Sequence, residues 1–132
     1  MGVVRLRDAA FWQPHRDFYA RVGIAAWSSH VVPHHATTNP RIARQYAELL
    51  LEWARIRDEA TGSERPLHVV ELGAGSGRFA HLVLTAWAEM ARQGRHPNRP
   101  LTYLATDLVA ANVAYLRAHP RHAARVAEGT VR

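Results

Sequence analysis

The chain has 132 residues, 48% of them apolar, which is enough for one domain with a real core. It has no cysteine, which excludes disulfides and cysteine-bound metals and fits a cytoplasmic protein. No apolar run approaches the ~20 residues of a membrane helix. Its net charge of +6 comes from 17 arginines without lysine, scattered among acids, so neither nucleic acid nor a membrane is an expected partner.

Residues 1–62 predict an N-terminal helical segment. A short helix is expected over residues 8–22 and ends at Gly23, whereas residues 24–38 lack periodicity and predict a loop. Asn39-Pro40 is typical of a helix start, and helix 40–60 follows it. Apolar residues recur along that helix at three- and four-residue spacing and form one apolar face: Ile42, Tyr46, Leu49, Leu50, Trp53 and Ile56.

A glycine-rich turn follows the first predicted strand. The apolar run 67–70 leads into Glu71-Leu72-Gly73-Ala74-Gly75-Ser76-Gly77, and an amphipathic helix is expected from Arg78 onward. A strand that ends in such a turn brings backbone close to a nucleotide-like ligand, because glycine adopts angles closed to other residues and has no side chain. The helix carries an apolar stripe: Phe79, Leu82, Val83, Ala86, Trp87 and Met90.

The spacing of this turn separates the candidate ligands. A dinucleotide fingerprint would have its third glycine where Arg78 stands, and a P-loop would need a lysine that the chain lacks. Glu71 would repel a phosphate and suits a ligand that carries positive charge. A turn that binds no ligand is the alternative, although three glycines in five residues weaken a fold unless something needs the space.

A second acid closes the next predicted strand. After a loop over residues 93–100, the strand 101–106 ends at Asp107. An acid at this place accepts hydrogen bonds from ribose hydroxyls in nucleotide-binding sheets. Asp is also a favoured helix N-cap, and the two roles can coexist.

The remaining residues predict one more helix and the start of a strand. Val109, Val113 and Leu116 mark the helix, which stops near His119-Pro120. A strand is expected to start near Val126 or at Thr130-Val131. The alternation of strands and helices predicts an α/β fold with a parallel sheet, in which the two acid-ended strands are neighbours.

The pattern acid-x-G-x-G-x-G resembles motif I of the class I methyltransferases that use S-adenosylmethionine. The resemblance implies a partial Rossmann-like parallel sheet preceded by N-terminal helices, with S-adenosylmethionine as cofactor. It implies methyl transfer to an acceptor that stays open, a small molecule or a protein, and no residue is assigned as catalytic. The implied cofactor-binding residues are Glu71, Gly73, Ala74, Gly75, Gly77 and, for the ribose, Asp107.

The resemblance covers only the first strands of a seven-stranded domain. We therefore expect residues 63–132 to be the first half of a Rossmann-like domain that binds S-adenosylmethionine, truncated and completed by a missing C-terminal half or a partner chain. Phe18-Tyr19 and the loop Thr37-Thr38-Asn39-Pro40 are weakly similar to the MidA-like methyltransferases, which commonly have Pro where Ala74 stands. The alternatives are a half-domain that binds NAD and a non-catalytic fragment that binds a partner through its sheet edge.

Histidines cluster in the predicted loop without forming a metal motif. His30, His34 and His35 lie close together, and His15 precedes them. Pro33 disrupts a helix that would bring His30 and His34 onto one face, and no nearby carboxylate completes a ligand set. We expect a polar loop and no metal site.

Overall fold

A computed structural model of the protein describes residues 3–29, 31–62, 65–96 and 100–132. The predicted boundary at residue 63, the end of the predicted loop at residues 97–99, and His30 lie outside the described residues. Within them, no helix combines the length and apolar character needed to cross a bilayer. After a 3-10 turn at Leu6–Asp8, the elements are α1 Trp12–Val22, α2 Ala25–Ser28, α3 Pro40–Thr61, β1 Leu67–Leu72, α4 Arg78–Arg92, β2 Leu101–Thr106, α5 Ala110–Ala118 and α6 Pro120–Ala127.

The predicted α/β class is confirmed, and so is the neighbouring arrangement of the two strands. β1 and β2 pair in parallel, with Leu67 opposite Leu101 at one end and Leu72 opposite Thr106 at the other. The backbone at Val131 makes a further parallel bridge to Tyr103. The carboxyl ends of both strands, each followed by a motif residue, therefore meet at one edge of the sheet.

Local signals account for most of the helix boundaries. The side chain of Asn39 accepts a hydrogen bond from the Ile42 N–H at 3.0 Å, and Pro40 occupies the first helical position of α3. Gly23 follows α1 at a φ of 54°. The predicted loop 24–38 contains the one-turn helix α2, which the absence of periodicity concealed.

The strand start predicted near Val126 is wrong, and at Val131 the structure has a single parallel bridge to Tyr103 rather than a strand. Val126 lies inside α6, which begins at Pro120 directly after α5 ends. Pro120 both ends α5 and begins α6, because its fixed φ suits the first position of a helix. His119 caps α6, since its Nδ1 accepts a hydrogen bond from the Arg121 N–H at 3.2 Å.

The core is a single layer between one face of the sheet and the helices. Val83, Trp87 and Met90 of α4 are buried there against alternate residues of the strands. The other face of the sheet is open in the described part of the chain, where Val70 is 56% exposed and Leu72 is 85% exposed. The remaining core residues are Ala43, Ala47, Ala54, Leu67, Ala74, Ala80, Leu84, Leu101, Tyr103, Ala105, Leu116 and Val131.

The apolar face predicted for α3 is only partly buried, since Leu50 packs against the core and Ile42 is half-buried. Tyr46, Leu49, Trp53 and Ile56 are all about half exposed or more, whereas the buried residues of α3 are alanines. The reason is the close approach of α3 to α4, which small side chains permit and large ones prevent. Hydrophobic periodicity located the helix correctly, but four of the six residues of its apolar face are exposed.

Candidate functional site at the glycine turn

The predicted strand, glycine turn and helix are all present. β1 ends at Leu72, α4 begins at Arg78, and the intervening turn holds Gly73, Gly75 and Gly77 at φ angles of 75°, 53° and 71°. Side chains with a Cβ rarely adopt these angles, so the turn needs glycine at each of the three positions.

Asp107 ties the glycine turn to the end of β2. Its Oδ2 accepts a hydrogen bond from the Gly75 N–H at 2.8 Å, and its Oδ1 accepts from the Val109 N–H at 2.8 Å and from Asn112 Nδ2 at 3.1 Å. The N-cap of α5 is Val109, so Asp107 is not that cap but orders the turn before it. A carboxylate offers about four acceptor sites, which leaves one free on Oδ2.

Glu71 brings a second carboxylate to the same edge. The Tyr103 hydroxyl donates to Glu71 Oε2 at 3.1 Å. Burial raises the pKa of the Glu71 carboxyl above its ordinary value, and the nearby Asp107 raises it further, while the Tyr103 hydrogen bond acts in the opposite direction. Neither acid forms an ion pair with a basic side chain of the described residues. The edge therefore brings two carboxylates together, neither of them in an ion pair among the described residues.

The three glycines of the turn face different surroundings. A Cβ at Gly73 would meet open space, whereas a Cβ at Gly75 would lie 3.0 Å from the indole of Trp27. A Cβ at Gly77 would lie 2.7 Å from Leu116 and 2.8 Å from the His122 ring. The structure thus places Gly77 in a helix contact, Gly75 against the N-terminal segment, and Gly73 beside open space.

Ala74 lies inside the turn. It is buried, and its N–H donates to the Thr106 carbonyl at 2.8 Å. The Thr106 hydroxyl in turn donates to the Glu71 carbonyl at 2.7 Å. These bonds hold the turn to the end of β2, next to the Asp107 contact.

Trp27 is the site residue that sequence reasoning missed. It stacks on Tyr19 with ring centroids 5.5 Å apart and closes a pocket of about 70 Å³ over the turn. Its only sequence signal was a single tryptophan in an aperiodic stretch, which does not indicate a partner. The other residues that line the pocket are His34, Thr38, Glu71, Gly73, Ala74, Gly75, Ser76, Arg78 and Phe79.

The predicted histidine loop contributes to this region through His34. The rings of His34 and His35 are 4.1 Å apart, and His15 lies apart on α1, where its Nδ1 contacts the Phe11 carbonyl. Among the described side chains, no three histidines or acids are grouped as metal ligands would be.

Comparison of the chain with protein-family models, with curated proteins and with solved structures gave no match. Its function is therefore inferred from the geometry of the site and from the sequence motif.

Proposed function

We propose that this chain binds S-adenosylmethionine on a Rossmann-like half-sheet and serves methyl transfer. One observation carries the proposal: Glu71 and Asp107 flank a glycine turn at the carboxyl ends of two parallel strands, and no basic side chain of the described residues pairs with either. Such an edge suits a nucleoside that carries positive charge, because the ligand supplies the missing cation.

Each residue of the turn has a place in this proposal. Glu71 would face the ammonium end of the cofactor, and the free acceptor site of Asp107 would hold a ribose hydroxyl. Gly73, with open space where a side chain would stand, would admit the cofactor closest to the backbone. When bound, S-adenosylmethionine supplies an electrophilic methyl group, and the protein aligns the acceptor with it and excludes water.

The pocket over the turn is smaller than such a ligand. Its volume of about 70 Å³ compares with roughly 300 Å³ or more for sites that hold small molecules. Trp27 takes up space against Gly75. Cofactor binding in this proposal therefore includes a displacement of the Trp27 side chain from Gly75.

Replacement of Trp27 by alanine tests that displacement. We expect Trp27→Ala to bind S-adenosylmethionine about five-fold more tightly than the wild-type protein, because in the wild-type protein the ligand must first displace the indole. Isothermal titration of both proteins measures the change, and Trp12→Ala is a matched control, since Trp12 lies on α1 and bonds the Leu6 carbonyl. Weaker binding by Trp27→Ala would mean that the indole is a wall of the bound site.

A calorimetric titration with three ligands tests the function itself. We expect saturable heat with S-adenosylmethionine and with S-adenosylhomocysteine, and none with NAD, whose pyrophosphate the two carboxylates repel. Heat with NAD alone would indicate the dinucleotide-binding alternative. Absence of binding heat with all three ligands would contradict cofactor binding altogether.

Glu71→Gln removes the negative charge of Glu71 and keeps the size and shape of its side chain. Glu71→Gln keeps an acceptor for the Tyr103 hydroxyl, yet we expect it to bind S-adenosylmethionine about ten-fold more weakly, since the attraction for the ammonium is lost. Glu89→Gln makes the same charge change on the exposed surface of α4, where Glu89 pairs with Arg92, and is expected to change nothing. Equal affinities of Glu71→Gln and wild type would remove Glu71 from the site.

The raised pKa of Glu71 fixes the sign of the pH dependence. The folded chain holds the Glu71 proton more tightly than the unfolded chain, so protonation as the pH falls through that range favours the folded state. The same protonation removes the charge that attracts a cation. Affinity for S-adenosylmethionine should therefore fall on acidification while Glu71 contributes more to stability, and Glu71→Gln should lose both effects.

A second candidate function, binding of a partner chain, is favoured by the open sheet. Val70 and Leu72 expose apolar surface, and among the described residues no strand pairs with the outer edge of β1. An added strand at this edge would gain main-chain hydrogen bonds and cover those side chains. This candidate gains support if the titration is silent with every nucleoside.

A further inference from the structure

A second cavity, of about 290 Å³, adjoins the glycine turn. It lies between the first turn of α4, the junction of α5 with α6, and the N-terminal segment that includes α2. Trp27, His34, Ser76 and Arg78 line both this cavity and the smaller pocket over the turn. We call it the basic cavity, because Arg78 and Arg121 line it.

The lining of the basic cavity is cationic and rich in donors. Two arginines, Arg78 and Arg121, and five histidines line it, and no acidic side chain does so among the described residues. Hydroxyl groups come from Tyr115 and from two serines. The pocket over the turn shares Arg78 and His34 with this cavity but also contains Glu71, so of the two the basic cavity is the one that suits an anion.

Two histidines of the basic cavity are fixed as donors through Nε2. The Arg125 guanidinium, which has donors only, contacts His81 Nδ1 at 2.9 Å, and the Arg121 N–H donates to His119 Nδ1 at 3.2 Å. An imidazole nitrogen that accepts carries no proton, so in each neutral ring Nε2 carries the proton. The His119 ring therefore offers an N–H from Nε2, whereas the second ring nitrogen of His81 already has the Arg121 backbone as a hydrogen-bond partner.

His122 is the buried member of the cluster. It is 1% exposed, and its Nδ1 has no hydrogen-bond partner in the described part of the chain. Burial, followed by the nearby His81, His119, Arg125 and Arg121, lowers the pKa of His122 to about 4. A buried polar nitrogen without a partner is costly, and so is this accumulation of cationic groups. An anion in the cavity would offset the second of these costs.

We propose that the basic cavity binds the phosphate group of a small molecule, with Arg78 and Arg121 as its charged partners and His119 and His122 as imidazole donors. A tetrahedral phosphate fits better than a planar carboxylate, because the donors come from two separate parts of the fold, α4 and the junction of α5 with α6, and a phosphate accepts in several directions. The first turn of α4 adds the positive end of a 15-residue helix. This site goes beyond the proposed cofactor, since S-adenosylmethionine carries no phosphate.

Titration of the full chain with inorganic phosphate and with glycerol phosphate, at constant ionic strength, tests the site. We expect saturable binding of both, with glycerol phosphate tighter if the native ligand is a phosphomonoester and equal if it is free phosphate. Arg121→Gln should weaken binding about ten-fold. Arg117→Gln removes the same charge from the exposed surface of α5, outside the cavity, and should leave the affinity unchanged.

A second measurement does not depend on a variant. Bound phosphate should raise the pKa of His122, followed by NMR of its ring protons in the wild-type chain. Equal weakening by Arg117→Gln and Arg121→Gln, or an unchanged His122 pKa at saturating phosphate, would overturn the proposal by showing that the anion is held by surface charge alone. Absence of saturation in the millimolar range would overturn it as well.

Discussion

Gly77→Ala is expected to lower the free energy of unfolding by about 3 kcal/mol, more than any other exchange of a single glycine in the turn. The new Cβ would lie 2.7 Å from Leu116 and 2.8 Å from the His122 ring, and both side chains are almost fully buried, so neither can move away freely. The φ of 71° adds backbone strain for any residue with a Cβ. Equilibrium unfolding in urea measures the loss.

Gly62→Ala is the matched control for this prediction. Gly62 ends α3 at a φ of 61°, but a Cβ there would meet nothing within 4 Å. Only the backbone strain remains, and the expected loss is about 1 kcal/mol. If both variants lost the same stability, the contact of Gly77 with Leu116 and His122 would contribute nothing, and Gly77 would be free to face a ligand.

Asp107→Ala is expected to cost about 3 kcal/mol of stability and to abolish measurable binding of S-adenosylmethionine. Three donors lose their acceptor: the Gly75 N–H, the Val109 N–H and the amide of Asn112. Asn112 is 1% exposed and its Oδ1 already lacks a partner among the described residues, so its whole side chain would be unsatisfied. Thermal unfolding and calorimetry together measure the two losses.

Asp107→Asn distinguishes a structural role of Asp107 from a role in binding. Its remaining oxygen can keep the bonds that Oδ1 makes, so we expect about half of the lost stability to return. The acceptor for the Gly75 N–H and the negative charge are both removed, and cofactor affinity should stay low. Recovery of affinity in step with stability would limit Asp107 to the architecture of the turn.

The sequence was most informative where chemistry along the chain determines the backbone. Asn39-Pro40 predicted the start of α3, and the run from Glu71 to Gly77 predicted the strand, turn and helix that the structure contains. In both places the deciding interactions lie within a few residues: a side chain caps the adjacent helix, or a glycine permits a backbone angle.

The sequence was least informative where contacts between distant segments determine the structure. The large apolar residues of α3 form one face, yet the buried residues of α3 are alanines, because the distance between two packed helices is set by both of them. In the same way, the position of Trp27 over Gly75 and the grouping of His81, His119 and His122 join residues from separate parts of the chain. Periodicity along one segment carries no information about such pairs.

The bond between Asp107 and Gly75 also bears on the order of assembly. It joins residues 32 positions apart, so the acceptor that orients the Gly75 amide comes into reach only after α4 has formed and β2 has docked beside β1. Loop closure over such a separation costs entropy before the contact is made. We therefore expect the glycine turn to gain its final geometry late in folding, and a peptide that carries the motif by itself to lack the group that sets its shape.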